Sequence, residues 1–333
     1  MRALVFREHN RIVVDDVAEP VCGPDDVVID MHAVGICGSD VHGYSGESGR
    51  RALGMVMGHE ASGVVARTGE RVSAVQPGDP VTFNPLLFCG ECAPCRAGRV
   101  TLCENRTIVG VTPTLQGAFA ERLGVRARNV VALPRSLPVE QGAMVEPTAV
   151  AVHCMRLAGV ERGQRIGVVG AGPIGLLCGH VARLDGASEV WVSDLQQDRL
   201  RAAEGLGLRA ASPEEMSAAG PFDTIVDAVG IAATLRGALA AVRGGGSVVV
   251  VGLGAPRVEL GLYELVVPEK RLLGSFCYDE PDFARAVELV AAPGSPIPGL
   301  VDRSVGMDEA QDAFLALAQA RDAAIKVVVD PRR

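Results

Sequence analysis

A glycine-rich turn between a strand pattern and a helix pattern is the feature that most constrains how this chain can fold. Residues 166–177 read Ile-Gly-Val-Val-Gly-Ala-Gly-Pro-Ile-Gly-Leu-Leu, so Gly170, Gly172 and Gly175 form Gly-x-Gly-x-x-Gly. The first glycine allows a tight bend, the second lets the backbone approach a pyrophosphate, and the third lets helix and strand pack closely. A plain glycine turn in an unrelated α/β domain would show the same letters, but the strand-turn-helix context favours a dinucleotide site.

Strands and helices alternate on the C-terminal side of this turn, which predicts a parallel, doubly wound sheet. A helix is expected to begin at Thr148, just after Glu146-Pro147. Two amphipathic helices and a closing strand follow the sheet, and composition does not decide to which domain they belong. The predicted strands are 165–169, 189–193, 224–226, 247–251 and 325–329, and the predicted helices are 174–184, 197–206, 281–292 and 307–320.

The residues that follow the turn favour NAD over NADP. Asp194 ends the next strand, where a carboxylate accepts hydrogen bonds from ribose hydroxyls and repels a 2′-phosphate. Arg199, on the following helix, works in the opposite direction because it can swing towards a phosphate. Pro173 and Ile174 of the turn, and Gly252 after the strand 247–251, complete the predicted dinucleotide contacts.

Four cysteines lie within fifteen residues of the N-terminal half. Their spacing, Cys89-x-x-Cys92-x-x-Cys95 and then Cys103, lets a short loop close around one tetrahedral ion. Zinc bound by four thiolates is typical of such spacing, and a closed shell of this kind is structural. Two local disulfides or unliganded thiols are the alternatives, and disulfides fit poorly because nothing else in the chain indicates an oxidising compartment.

A second set of ligand-type residues lies outside this cluster. Cys37, His59 and Glu60 are candidate ligands in the first domain, and Glu146 is a further carboxylate at the domain junction. A catalytic zinc takes three protein ligands and keeps one open position. Two carboxylates in the shell would make it negative, so one is expected to bind directly and the other to act through water or by exchange. Singly, each residue has an ordinary explanation as a core thiol, a hydrogen-bonded histidine or a surface charge.

Composition excludes several classes of protein. The chain has 333 residues, 48% of them hydrophobic, which is enough for two domains. A net charge of −8 argues against a general nucleic-acid binder. Neither a secretory signal nor an eighteen-residue apolar run occurs, so we expect no membrane partner and a cytoplasmic protein with reduced thiols.

These motifs together resemble the zinc-dependent medium-chain dehydrogenase/reductase superfamily over essentially the full chain. The resemblance rests on residues 35–42 (Gly-Ile-Cys-Gly-Ser-Asp-Val-His), 58–60 (Gly-His-Glu), 145–147 (Val-Glu-Pro), the four cysteines and the glycine turn. It implies an α/β protein with a GroES-like β-rich catalytic domain and a Rossmann doubly wound parallel-sheet domain. The implied boundaries are 1–149 with 275–333 (zinc lobe at about 86–106) and 150–274. A homodimer or homotetramer is also implied.

Residue roles follow from the same resemblance. It implies a catalytic zinc at Cys37, His59, Glu60 and Glu146, and a structural zinc at the four cysteines, hence two Zn²⁺ per chain. Ser39 and His42 are implied to relay a proton while hydride passes from a secondary alcohol to NAD. The Glu-Pro at 146–147 is similar to the sorbitol and threonine dehydrogenase branch.

The substrate is less well specified. Polyol dehydrogenases tend to have an arginine after the segment 274–276, where this chain has Cys277-Tyr278. Residues 44–51 offer hydroxyls, a carboxylate and two arginines, which suits a small polyhydroxylated substrate: a polyol, cyclitol or aminocyclitol. L-Threonine, butanediol and, if Arg50 or Arg51 faces inward, a sugar-alcohol phosphate stay open. A zinc-free quinone reductase and a non-catalytic NAD-sensing protein are the rival classes.

Overall fold

The computed structural model describes residues 1–47, 49–319 and 324–333, and the chain forms two compact units. The first unit comprises Met1–Glu146 and Asp279–Arg333, and the second comprises Pro147–Tyr278. The boundaries expected from the resemblance lie within a few residues of these. No helix among the described residues is long and apolar enough to cross a membrane.

The first unit begins with short strands and two short helices. Valine and isoleucine dominate β3, which is almost wholly buried and pairs antiparallel with β4 and with β8. The strands are β1 Arg2–Glu8, β2 Arg11–Asp16, β3 Asp26–Gly35, β4 Glu60–Thr68, β5 Pro80–Phe83, β6 Leu86–Leu87, β7 Thr107–Ile108, β8 Arg122–Arg126 and β9 Val130–Ala132, with helices α1 Gly38–Tyr44 and α2 Ala93–Arg96.

The second unit is a six-stranded parallel sheet with helices between its strands. In the order β12-β11-β10-β13-β14-β15, the strands follow the 3-2-1-4-5-6 arrangement of dinucleotide-binding folds. Helix α3, Val145–Ala158, has its first two residues in the first unit and the rest in the second. The other helices are α4 Pro173–Leu184, α5 Gln197–Gly205, α6 Pro213–Ala219, α7 Ala232–Ala241 and α8 Leu262–Val266; the strands are β10 Arg165–Val169, β11 Glu189–Ser193, β12 Arg209–Ala211, β13 Phe222–Asp227, β14 Val242–Val250 and β15 Arg271–Gly274.

The predicted start of α3 was wrong. The helix begins at Val145 rather than Thr148, so Glu146 and Pro147 lie in its first turn. Proline is tolerated there because the first amides of a helix have no intrahelical acceptor. The Glu-Pro pair therefore opens the helix rather than preceding it.

The C-terminal segment returns to the first unit. It forms α9 Glu280–Ala291, β16 Val301–Gly306, α10 Ala310–Ala318 and β17 Lys326–Asp330. The predicted helix 307–320 is α10 preceded by a 3₁₀ turn at Met307–Glu309, and its residue 320 lies outside the described residues. Because β17 pairs antiparallel with β3 at Val34 and Gly35, the segment contributes two strands to the seven-stranded sheet of the first unit.

Candidate active site

The end of β3 and the start of α1 position the first candidate ligand. Cys37 is the N-cap residue of α1, and the Asp40 carboxylate accepts a hydrogen bond from the Cys37 amide at 3.3 Å. Capping of this kind satisfies a helix-end donor and fixes the entry of the chain. The Cys37 thiol and the Ser39 hydroxyl are thereby held at the start of one short helix.

The start of β4 brings the other ligands to the same place. Gly35 of β3 pairs with Glu60 of β4, and His59 comes directly before that strand. A Cβ atom on Gly35 would lie 2.3 Å from Glu60 Oε2, so only glycine leaves room for this carboxylate. The ligand atoms of Cys37, His59 and Glu60 all lie within 4.8 Å of one another.

These residues fit a zinc ion. Thiolate, imidazole and carboxylate are the donors that zinc takes in proteins, and three of them leave a position open. The buried Nδ1 of His59 has no hydrogen-bond partner among the described residues and lies 3.6 Å from Asp40 Oδ1. A carboxylate beside a ligating imidazole is the usual support of a metal-binding histidine.

Three acidic groups around His59 change its protonation in the metal-free protein. Burial alone would lower the pKa of His59, but the charges of Asp40, Cys37 and Glu146 outweigh burial and raise the pKa to about 10. Glu146, 7% exposed in the first turn of α3, is thus close enough to act on this imidazole. Metal-free protein therefore holds a protonated His59 at neutral pH.

Zinc affinity at this site is expected to depend on pH. A metal ligand must lose its proton, and His59 keeps one below a pKa of about 10. Between pH 6 and 8 the apparent association constant should therefore rise at least about tenfold per pH unit. Chelator competition on protein whose cysteine lobe is already loaded measures this dependence. An affinity that stays flat across that range would contradict the protonated imidazole.

Two buried cations beside the ligands were not predicted from the sequence. Lys326 of β17, only 1% exposed at its side chain, forms an ion pair with Glu60 and donates to the Ile36 carbonyl at 3.3 Å. Burial acts to lower the pKa of Lys326, but Glu60 and the other nearby anions raise it overall, so the amine stays charged. Its one sequence signal was a lysine opening an otherwise apolar strand, Lys-Val-Val-Val.

Arg51 is the second buried cation. Its side chain is 2% exposed and pairs with the fully buried Asp40 at 3.0 Å. With zinc bound, the charges of Cys37, Asp40, Glu60 and Glu146 would be balanced by Arg51, Lys326 and the metal. Because the charges balance, two carboxylates close to the zinc do not leave the site with a net negative charge.

The predicted relay residues lie on α1. Ser39 is partly buried, and its Oγ lies 3.4 Å from Arg51 Nη2. His42, near the end of the helix, is 45% exposed and bonds Glu47 through Nδ1 at 2.7 Å. One residue therefore faces the buried charges and the other reaches solvent.

The four cysteines form a separate cluster. Their sulfur atoms lie within 4.8 Å of one another, with Cys89 Sγ 3.6 Å from Cys103 Sγ and 3.9 Å from Cys95 Sγ. Backbone amides of Glu91 and Cys92 lower the pKa of Cys89 to about 6, whereas desolvation raises that of Cys95 to about 12. All nine cysteines are free thiols, and this geometry fits a tetrahedral zinc.

The glycine turn of the second unit has the shape needed for a phosphate. Gly170 has a positive φ of 95°, and a Cβ atom on Gly175 would lie 1.8 Å from the Gly170 carbonyl oxygen. A Cβ on Gly172, the N-cap of α4, would meet no atom within 4 Å. The backbone therefore faces open space at the N-terminus of a helix, where anions bind. Pro173 and Ile174 form the first positions of that helix.

The remaining residues predicted to contact the dinucleotide are Asp194, Arg199 and Gly252, and their present contacts lie within the protein. Asp194 accepts hydrogen bonds from the amides of Ala171 and Gln196 at 2.8 and 2.9 Å. Arg199 lies 3.8 Å from Asp194, and its Nε has no partner within the part of the chain that the structure describes. A Cβ on Gly252 would lie 2.3 Å from the Val229 carbonyl carbon, so close packing of backbone also requires glycine there.

Comparison with known proteins shows the family. Residues 23–135 match the alcohol dehydrogenase GroES-like domain, and residues 173–292 match the zinc-binding dehydrogenase family. D-xylulose reductase A of Aspergillus niger is 33% identical over 94% of this chain and 92% of its own. Sorbitol dehydrogenase of Bacillus subtilis is 31% identical, covering 100% of this chain and 98% of its own.

Solved structures agree with the sequence relatives. A protein of Sinorhizobium meliloti described as a zinc-binding dehydrogenase, bound to NADP, superposes with a TM-score of 0.91 at 32% identity and 99% coverage of both chains. The chain belongs to the zinc-dependent medium-chain dehydrogenase/reductase superfamily. It is an alcohol dehydrogenase whose cofactors are zinc and a nicotinamide dinucleotide, and the predicted fold class is confirmed.

Proposed function

We propose that this enzyme oxidises a secondary hydroxyl of a polyol, cyclitol or aminocyclitol to a ketone, with NAD as hydride acceptor. The observation that carries the proposal is the cluster of Cys37, His59 and Glu60 backed by the buried Lys326. Sequence relatives named sorbitol dehydrogenase and D-xylulose reductase support a polyhydroxylated substrate. Residues 1–146 and 279–333 are the proposed catalytic domain, and 147–278 the proposed NAD-binding domain.

The proposed roles divide between metal ligands and a proton relay. Cys37, His59 and one of Glu60 and Glu146 would hold zinc, which when bound supplies a Lewis acid that lowers the pKa of a hydroxyl. Ser39 accepts the proton of the substrate hydroxyl and passes its own proton on towards His42. The exposed His42, bonded to Glu47, exchanges that proton with solvent.

The proposed cofactor preference rests on Asp194. Asp194 directly follows β11, and two backbone amides anchor its carboxylate, where it would repel a 2′-phosphate. Arg199 is the opposing residue, and the related Sinorhizobium protein was solved with NADP. The ion pair between Arg199 and Asp194 supports NAD, because it engages the cation that a phosphate would need.

The arginines of the segment 44–51 do not support a phosphorylated substrate. Arg51 faces inward, but Asp40 neutralises it, and Arg50 is exposed. Sugar-alcohol phosphates are therefore the less supported alternative. L-Threonine and butanediol stay in the set of substrates to be tested.

We also propose a cytoplasmic homo-oligomer. The edge strand β15 and the exposed apolar residues of and after α8 offer a face to a second copy, and unpaired strand edges invite such pairing. A cluster of four thiols fits a reducing compartment. Light scattering that gave only the 34.6 kDa of one chain would contradict the oligomer. The exposed residues are Leu262, Tyr263, Val266 and Val267.

NADH formation against a panel of polyols, cyclitols, aminocyclitols, diols and L-threonine tests the proposal, with NADP in parallel. We expect one ring or chain class of substrate to be preferred and activity with NAD to exceed activity with NADP. Metal analysis should give two zinc ions per chain, one for each cluster.

Ser39→Ala should lower kcat about 100-fold while keeping both zinc ions, because the relay loses its first acceptor. Full activity of that variant would refute the relay. If wild-type protein with both zinc ions bound oxidised no compound of the panel, a non-catalytic NAD-sensing protein would be favoured.

A further inference from the structure

We propose that Arg51 is a positioning residue that stabilises negative charge on the Ser39 oxygen during proton removal. The inference rests on the proposed alcohol oxidation and adds a residue to its relay. It starts from an arginine that is 2% exposed although it lies in the polar loop between α1 and β4.

The fold makes a specific place for the Arg51 side chain. Its stem crosses α1 at Gly43, where a Cβ atom would lie 2.4 Å from Arg51 Cγ. Any larger residue at position 43 would push the arginine away from the helix. The burial of this cation is therefore built into the sequence of α1.

The guanidinium reaches two groups at the start of α1 with one nitrogen. Arg51 Nη2 donates to Asp40 Oδ1 at 3.0 Å and makes a long hydrogen bond to Ser39 Oγ at 3.4 Å. Arg51 Nε is buried and has no hydrogen-bond partner among the residues that the structure describes. Asp40 thus holds the cation in place without saturating its donors.

The contact defines what Ser39 can do. A guanidinium only donates, so Ser39 Oγ accepts at this contact and its own hydrogen points elsewhere. In the relay, the O–H bond of the substrate breaks, a new O–H bond forms on Ser39, and the original Ser39 proton leaves. Partial negative charge on Oγ during this exchange is stabilised by the adjacent cation, and the hydrogen bond strengthens as the charge develops.

Arg51 also controls how much of the Asp40 charge reaches the metal site. The same Asp40 oxygen lies 3.0 Å from Arg51 Nη2 and 3.6 Å from His59 Nδ1. Without the arginine, the full carboxylate charge would act on His59 and on a bound zinc. Loss of Arg51 should therefore tighten zinc binding while it impairs proton removal, two effects of opposite sign.

Three variants distinguish stabilisation of charge on Ser39 from a purely structural role of Arg51. They are Arg51→Met, Arg51→Lys and the control Arg67→Met. Arg67 is an exposed arginine of the same unit, so its loss removes the same charge at the surface. For Arg51→Met we expect the rising limb of the kcat pH profile for alcohol oxidation to move up by one pH unit or more. Substrate KM should change little, and Arg51→Lys should move the limb less. Arg67→Met should leave the profile unchanged.

Two further measurements decide the outcome. In the Ser39→Ala background, Arg51→Met should cause less than a twofold further loss of kcat, because the two residues act on one proton. Chelator competition should show several-fold tighter zinc binding by Arg51→Met, and this readout needs no turnover. Should Arg51→Met not fold, Arg51→Lys carries the same comparisons.

An unshifted pH profile, or losses that multiply in the double variant, would overturn the role on Ser39. Unchanged zinc affinity of Arg51→Met would show that Arg51 does not reduce the effect of the Asp40 charge on the metal site. If the wild type oxidises none of the alcohols, the proposed function fails, and the zinc measurement still tests the coupling between Arg51 and Asp40.

Discussion

Lys326→Met is expected to lower the free energy of unfolding of the metal-free first unit by about 3–5 kcal/mol. Lys326 is the buried partner of Glu60, whose side chain is 2% exposed. Removing the cation leaves a carboxylate without its counter-charge in the interior, beside Cys37 and Glu146, which carry the same sign. Protein stripped of zinc shows the effect most clearly, because the metal would otherwise offset the lost charge.

Hydrogen exchange of the β3 and β17 amides measures this loss within the first unit. The single tryptophan, Trp191, lies in the second unit and would report on the wrong part of the chain. The matched control is Lys326→Met combined with Glu60→Gln, which removes both charges and should recover much of the stability. If Lys326→Met alone cost less than about 1 kcal/mol, the buried ion pair would not exist in the metal-free protein.

Two glycine-to-alanine changes in the second unit are expected to have separate effects. Gly172→Ala should fold normally and weaken dinucleotide binding more than tenfold, because its methyl group would occupy the space in front of α4. Gly175→Ala should instead destabilise the unit, because its Cβ would meet the Gly170 carbonyl at 1.8 Å and the backbone would have to move.

Thermal unfolding followed by Trp191 fluorescence and NAD titration separates the two outcomes. Gly205→Ala, on α5, is the control, since a Cβ there meets no atom within 4 Å and the residue is far along the chain from the turn. Tight NAD binding by Gly172→Ala would show that the phosphates do not approach this backbone. Wild-type stability of Gly175→Ala would contradict the close packing of strand and helix.

The local pattern of apolar and turn residues was sufficient to predict most elements of the second unit. The strands β10 and β11 begin and end at the predicted residues, because each is a short apolar run bounded by turn residues. The glycine turn was predicted for the same reason: its geometry depends on neighbours in sequence. The closing strand of the first unit, predicted at 325–329, is displaced by one residue to Lys326–Asp330, since its ends are defined by pairing with distant strands.

The metal site was predictable only in part. Cys37, His59 and Glu60 lie in two short motifs and were named, and the structure brings them together. Lys326 lies 266 residues from Glu60, and the sequence predicts it only as part of the closing strand. The burial of Arg51 depends on a slot above Gly43, which no spacing of residues encodes. Compensating charges are long-range features: a lysine that opens an apolar strand marks a buried cation, but no local pattern identifies the carboxylate that it pairs with.

The contribution of β17 to the first unit has a consequence for biosynthesis. Glu60 leaves the ribosome long before its partner, because the entire second unit is translated between them. At about 5–20 residues per second, the 266 residues from Glu60 to Lys326 take on the order of ten seconds to a minute. The second unit can complete its own sheet on the ribosome, whereas the first waits for its last strand. The nascent enzyme therefore acquires its nucleotide site before it acquires a charge-balanced metal site.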